Sequence, residues 1–234
     1  ARTFLYQLGA ASEENLEFAA HHLHEFQRIR RRTCGSTSPQ YATALNNLAA
    51  LRSAQGKYDE AQPLMERALA IDEKVYGRDH PELAADMSNL AGLLEAQGEH
   101  DEAEPLYVRS LEIRKNALGG NHPDVAQSLR DLALLLWRTG RSQEAIPLQE
   151  KAIAIRKRRG ETAVVAKYED ELAKLQAGEA SPYRESQFTS AVSSSRRLPR
   201  RRSSTFTSRL RTILRGDRIT TAYSALPDVS FDEE

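Results

Sequence analysis

The side chains best placed for chemistry in this 234-residue sequence are His21, His22 and His24, followed by Glu25. On a helix, His21 can share a face with His24 or with Glu25, which is how two ligands reach one metal ion. No second group of ligands stands elsewhere in the sequence, so these histidines read as a solvated helix surface. No metal and no other cofactor is expected. Cys34 is the only cysteine, which excludes an internal disulfide and a multi-cysteine zinc site, and fits a reducing, cytoplasmic compartment. There is no Gly-rich phosphate loop, zinc-protease motif or nucleophile elbow. An enzyme acting on a small-molecule substrate is therefore not expected. One further chemical signal lies near the C-terminus, where Arg200-Arg201-Arg202 precedes Ser203 and Ser204. That spacing suits basic-directed kinases and makes Ser203 and Ser204 candidate phosphosites. A phosphate there would remove about 1.5–2 charges from the basic cluster.

The elements that carry these residues follow from composition and repetition. Lys plus Arg and Asp plus Glu both number 33, and this balance argues against a nucleic-acid binder as the reading of the whole chain. Ala, Leu, Glu and Arg dominate and aromatics are 6%, which favours helices over sheets. No run of about 18 apolar residues is present, so no transmembrane helix is expected. Nor is a signal peptide expected. The sequence starts at Ala1 rather than Met, as expected of a fragment or of an incomplete gene model.

A 42-residue step runs through the middle of the chain. It relates Pro39, Pro81 and Pro123; Gly56, Gly98 and Gly140; Ala61, Ala103 and Ala145; and Ile71, Ile113 and Ile155. Residues 39–80 and 81–122 match at 19 of 42 positions, and 81–122 and 123–164 at 14. Agreement on that scale is a true internal repeat. Each unit predicts two helices. Ser38-Pro39, His80-Pro81 and His122-Pro123 read as N-cap and first helical residue, so His80 and His122 belong to the turn between repeats. Gly56, Gly98 and Gly140 stop the first helix through a left-handed cap. Asp59, Asp101 and Ser142 should start the second. Pro63, Pro105 and Pro147 should lie near its first turn, where a missing N–H costs least. Ala49, Ala91 and Ala133 should face Ala61, Ala103 and Ala145, letting the antiparallel helices approach closely. Cys34 falls at the repeat position of Tyr76 and Leu118, for which partial burial is expected.

The strings Leu45-Asn46-Asn47-Leu48-Ala49, Gln55-Gly56-Lys57-Tyr58-Asp59-Glu60-Ala61, Glu102-Ala103-Glu104-Pro105-Leu106-Tyr107 and Asn121-His122-Pro123-Asp124-Val125-Ala126 resemble the tetratricopeptide family, in its 42-residue form found in kinesin light chains and nephrocystin-like proteins. The resemblance covers about residues 1–176. It departs from the family pattern at Arg52 and at Arg130-Asp131. It implies an all-α superhelical solenoid of antiparallel helix pairs, acting as a non-catalytic scaffold or adaptor. The expected units are a partial repeat at 1–38, repeats at 39–80, 81–122 and 123–160, a capping helix at 161–177 and a Ser/Arg-rich tail at 178–234. The first helices would line a concave groove that takes peptides or partner proteins. The stripe facing that groove is Thr43, Asn46, Ala50 and Ser53, then Ala85, Ser88, Gly92 and Glu95, then Gln127, Arg130, Leu134 and Trp137. Asn46, Asn47, Ser88 and Asn89 are the expected polar contacts. Arg130 and Arg138 are the cations expected to take ligand carboxylates, which makes acidic peptides candidate partners. Trp137 has two readings, packing against the closing helix 162–176 or contact with a ligand.

The tail changes composition from Gly178 onward. Ser, Thr and Arg dominate and Lys is absent, so disorder is expected. Nine Arg fall between Arg196 and Arg218. With Phe206, Leu210, Ile213 and Leu214 between them, they could fold as a short amphipathic helix on a membrane or partner. That is the alternative function, a regulatory or targeting module. Nucleic acid is disfavoured, since Phe206 is the only aromatic in the cluster. The acidic end Phe231-Asp232-Glu233-Glu234 reads either as a solubilising terminus or as a weak occupant of the chain's own groove.

Overall fold

The structure, a computed structural model, describes residues 13–179, with side chains from residue 21 onward. The fragment before residue 13, the tail from residue 180, Ser203, Ser204 and the acidic end lie outside the described residues. Within them the chain forms eight helices and no strand. These are α1 (Glu13–Cys34), α2 (Pro39–Ala54), α3 (Tyr58–Tyr76), α4 (Pro81–Ala96), α5 (His100–Leu118), α6 (Pro123–Arg138), α7 (Ser142–Arg158) and α8 (Thr162–Gln176). They make a tetratricopeptide-type solenoid of antiparallel pairs, α2 with α3, α4 with α5 and α6 with α7. Each first helix packs most extensively on its own second helix, and each second helix on the first helix that follows.

Local chemistry sets the boundaries. Helices α2, α4 and α6 each open with Pro at the first helical position, where its fixed φ helps and its missing N–H costs nothing. The residue before supplies the cap: Ser38 Oγ accepts from the Tyr41 N–H at 3.3 Å. His80 Nδ1 and His122 Nδ1 accept from the N–H groups of Glu82 and Asp124, both at 3.2 Å. A histidine at this position thus does the work of a serine. The turns that follow use Gly56, Gly98 and Gly140 at φ +72, +79 and +83, a region where a β-carbon is strained.

The second helices begin at Ser142, as expected, and at Tyr58 and His100, one residue before the expected Asp59 and Asp101. Their N-caps are Lys57, Glu99 and Arg141, none of which makes a side-chain cap bond. The acids Asp59, Glu60, Asp101 and Glu102 instead sit in the first turn, where the helix dipole favours them. Pro63, Pro105 and Pro147 lie inside their helices, each five residues after the first helical residue and so just past the first turn. The bonds they forgo are those to the carbonyls of Asp59, Asp101 and Gln143, within the first turn.

The core runs the length of the solenoid. Tyr41, Leu45, Leu48, Leu83, Leu90, Leu94, Leu106, Leu129 and Leu135 are essentially sealed from water. Burial of each such side chain stabilises by roughly 1.5–3 kcal/mol. The alanines at 49, 61, 91, 103, 133 and 145 are all buried, as close helix pairing requires. Gly92 marks a further close approach: a β-carbon there would meet the Tyr107 hydroxyl at 3.4 Å.

Candidate protein-interaction surface

The stripe predicted along the first helices does not have one character. On α2, Thr43 is exposed, Asn46, Asn47 and Ser53 are half-buried, and Ala50 is buried. On α4, Ala85, Asn89 and Gly92 are half-buried. On α6, Leu134 and Trp137 are buried and Arg130 is nearly so, its side chain only 11% exposed. The surface closes from α2 toward α6.

Side-chain partners explain the closure. Arg130 Nε donates to Glu171 Oε2 of α8 at 2.7 Å, and Arg130 Nη2 engages Glu171 Oε1. The guanidinium also lies 5.1 Å from the centroid of the Tyr168 ring. Gln149 of α7 ties the same group together, its Nε2 donating to Glu171 Oε2 at 3.1 Å and to the Tyr168 carbonyl at 3.0 Å. The Tyr168 hydroxyl donates to Gln127 Oε1 at 3.2 Å. The carboxylate that Arg130 was expected to take from a ligand is therefore supplied by the chain's own last helix. Trp137 is 3% exposed, and its indole N–H donates to the Glu179 carbonyl just beyond α8 at 3.0 Å. Of its two readings, the structure displays packing at the C-terminal end.

Arg138 likewise has a partner. Its Nη1 lies 2.6 Å from Glu95 Oε1 of α4, and Glu95 Oε2 accepts from the Tyr107 hydroxyl at 3.0 Å. The Arg138 side chain remains 24% exposed, so this pair faces the surface that Arg130 has left. Ser88 departs from its expected place. It is buried, with Ser88 Oγ 2.7 Å from Ser110 Oγ. Ser110 gives its own proton to the Ala84 carbonyl at 2.7 Å, so Ser88 is the donor to Ser110. The repeat equivalents of Ser110 are Ala68 and Ala152, and that exchange of Ala for Ser was the signal. Asn46 is half-buried, with Nδ2 donating to Asp86 Oδ1 on α4 at 2.5 Å.

The other singled-out residues stand apart from this stripe. His21, His22 and His24 are exposed, and His24 Nε2 lies 3.3 Å from Arg52 Nη2. Among the described residues no three His, Cys, Asp or Glu side chains converge as a metal site needs. Cys34 is exposed rather than partly buried. Tyr76, at the equivalent position, is itself 38% exposed, so this position is a helix end and not a core position. Bonds to Thr33 and Arg30 draw the Cys34 thiol below its ordinary pKa.

No helix among the described residues is long and apolar enough to cross a membrane. Among curated proteins, none matches the chain at a significant level. Solved structures do. A crystal structure of a protein from Podosopora anserina, assigned as a kinesin light chain with nearly identical TPR-like repeats, superposes with a TM-score of 0.62 at 24% identity. The match covers 90% of this chain and 92% of that one. A single-substitution form of that protein matches equally, over 90% and 91%. BtubC (BKLC) from P. vanneervenii matches at 19% identity and a TM-score of 0.50, over 82% of this chain and 96% of that one. At such identities the likeness is one of fold. The tetratricopeptide-repeat family profile matches residues 3–74, 40–116 and 84–158. With two thirds of its length so matched, the chain belongs to the tetratricopeptide-repeat family.

Proposed function

We propose that this scaffold binds an extended peptide segment of a partner protein along the stripe of α2 and α4, in the concave groove that the first helices line in this family. The observation that supports the reading is the gradient described above. Thr43, Asn47, Ser53, Ala85, Asn89 and Gly92 keep a polar, small-residue surface partly open, while the equivalent surface of α6 is filled by the chain's own side chains. Small residues leave room for a ligand backbone, and asparagine amides both donate to and accept from it. The acidic preference expected from the sequence narrows to Arg138, where a ligand carboxylate would have to compete with Glu95. A short peptide in one such groove should bind in the micromolar range, about −8 kcal/mol. The exposed single thiol of Cys34 suits a reducing, cytoplasmic setting.

Peptide-library selection on the full chain tests this reading. Asn47→Ala combined with Asn89→Ala should weaken the selected peptides at least about tenfold, the loss of roughly one to two polar contacts. Unchanged affinity in that variant would exclude the α2–α4 stripe as the site. The alternative of a tail-driven targeting module predicts instead that removing residues 178–234 abolishes partner binding.

A further inference from the structure

The junction between α3 and α4 buries two acids. Asp72 on α3 is 6% exposed and Asp86 on α4 is 5% exposed. Each carboxyl lies within hydrogen-bonding reach of the other. The donor to the pair is Asn46 Nδ2, at Asp86 Oδ1. Asp72 Oδ1, Asp86 Oδ2 and Asn46 Oδ1 are buried with no hydrogen-bond partner. The other groups whose charge acts on the pair or on the adjoining Tyr76 are Glu82 and His80, and His80 stacks on Tyr76 with ring centroids 4.5 Å apart. No lysine or arginine is among them.

The repeat shows how unusual this is. The 42-residue equivalents of Asp72 are Arg30, Arg114 and Arg156, and those of Asp86 are Ala44 and Ser128. At the α5–α6 junction, Arg114 Nη1 donates to Ser128 Oγ at 2.5 Å, an arrangement with one charge and a satisfied hydroxyl. At the end of α7, Arg156 Nη1 pairs with Glu161 Oε2 at 2.5 Å. Only the α3–α4 junction sets acid against acid at these positions. Two carboxylates in a buried site cannot both ionise cheaply, and each of these keeps one buried oxygen without a donor.

We propose that the α3–α4 junction is a proton-operated joint: one proton shared by Asp72 and Asp86 locks the first helix pair to the second, and its loss loosens the joint while Asn46 stays bonded to the ionised Asp86. The joint does not rest on the groove reading above. Burial first, then the neighbouring Asp72 carboxyl, pushes Asp86 up to about 8. Asp72 is also raised, chiefly by burial. Free aspartate titrates near 3.9. An acid raised on folding stabilises the fold fully below its unfolded value, and that contribution is lost as pH rises through the folded one. The joint is therefore tightest below about pH 4 and weakens from about pH 4 to pH 8, and the folded chain itself gives up the proton near the upper end.

Thermal unfolding of the full chain from pH 5 to pH 9 tests this, alongside Asp72→Asn and Asp86→Asn. The wild type should lose about 5 °C in Tm between pH 6 and pH 9. Either asparagine variant should flatten that slope and melt higher than wild type at pH 8. Variant profiles parallel to wild type would overturn the joint. Carboxyl ¹³C NMR of the wild-type chain gives a reading independent of any variant. One aspartate carboxyl titrating near pH 8 supports the shared proton, and two ionised carboxyls at pH 6 refute it. The Asn46 side-chain amide resonance should shift with the same midpoint.

Discussion

Helices α2 and α6 derive from the same 42-residue unit, yet one presents a surface and the other a core. At the position of Asn46, half-buried and bonded to Asp86, α6 carries Arg130, locked to Glu171. At the position of Ser53, α6 carries Trp137, sealed beneath the segment after α8. What differs is the neighbour. Helix α2 is followed in the stack by another repeat, whereas α6 is followed by the single helix α8, which brings Tyr168 and Glu171 against it. A repeat surface is thus a site only where the next element leaves it open, and position in the repeat alone does not decide it.

The largest perturbation should come from the layer that both ends share. Leu90→Asp places an unpaired charge where the side chain is 1% exposed, and should cost about 4 kcal/mol or more. A thermal melt shows whether both ends then unfold together. The next largest separates the two ends. Arg130→Ala leaves Glu171 buried without its cation and should cost about 3 kcal/mol, measured by urea unfolding, with amide protection lost first in α8. Arg138→Ala removes a pair that is still partly solvated and should cost about 1 kcal/mol or less. If the Arg138 variant proves as costly as the Arg130 variant, the contrast between open and closed ends is wrong. The smallest effect on stability belongs to Asn47→Ala, within about 0.5 kcal/mol, since the side chain lies on the open stretch. There the change should appear in peptide affinity.

Much of this architecture was legible in the sequence because short-range chemistry fixes it. The Ser-Pro and His-Pro caps, the glycines at positive φ and the paired alanines each act within a turn or a hairpin. The pairings that close α6 were not legible, for identifiable reasons. The repeat slips from 42 to 40 residues after the third unit, so the alignment that matched Asn46 to Arg130 gave no partner for Arg130 on α8. Glu171 shares the face of Val165, Tyr168 and Leu175, three or four residues from each neighbour, but its charge marked it for solvent. On the same helix Lys167, Glu169 and Asp170 are exposed, whereas Lys174, for which solvent was equally expected, is half-buried. The acid pair had a visible signal, an Asp at position 72 where three equivalents carry Arg. Only the fold shows that Asp86 stands opposite it.

The most direct test of the account is to map a bound peptide residue by residue. With a peptide selected on the full chain, amide chemical-shift changes should cluster at Thr43, Asn46, Asn47 and Ser53 on α2 and at Ala85, Asn89 and Gly92 on α4, and leave α8 and the buried face of Trp137 undisturbed. Changes concentrated on α6–α8, or on the second helices α3, α5 and α7, would contradict it.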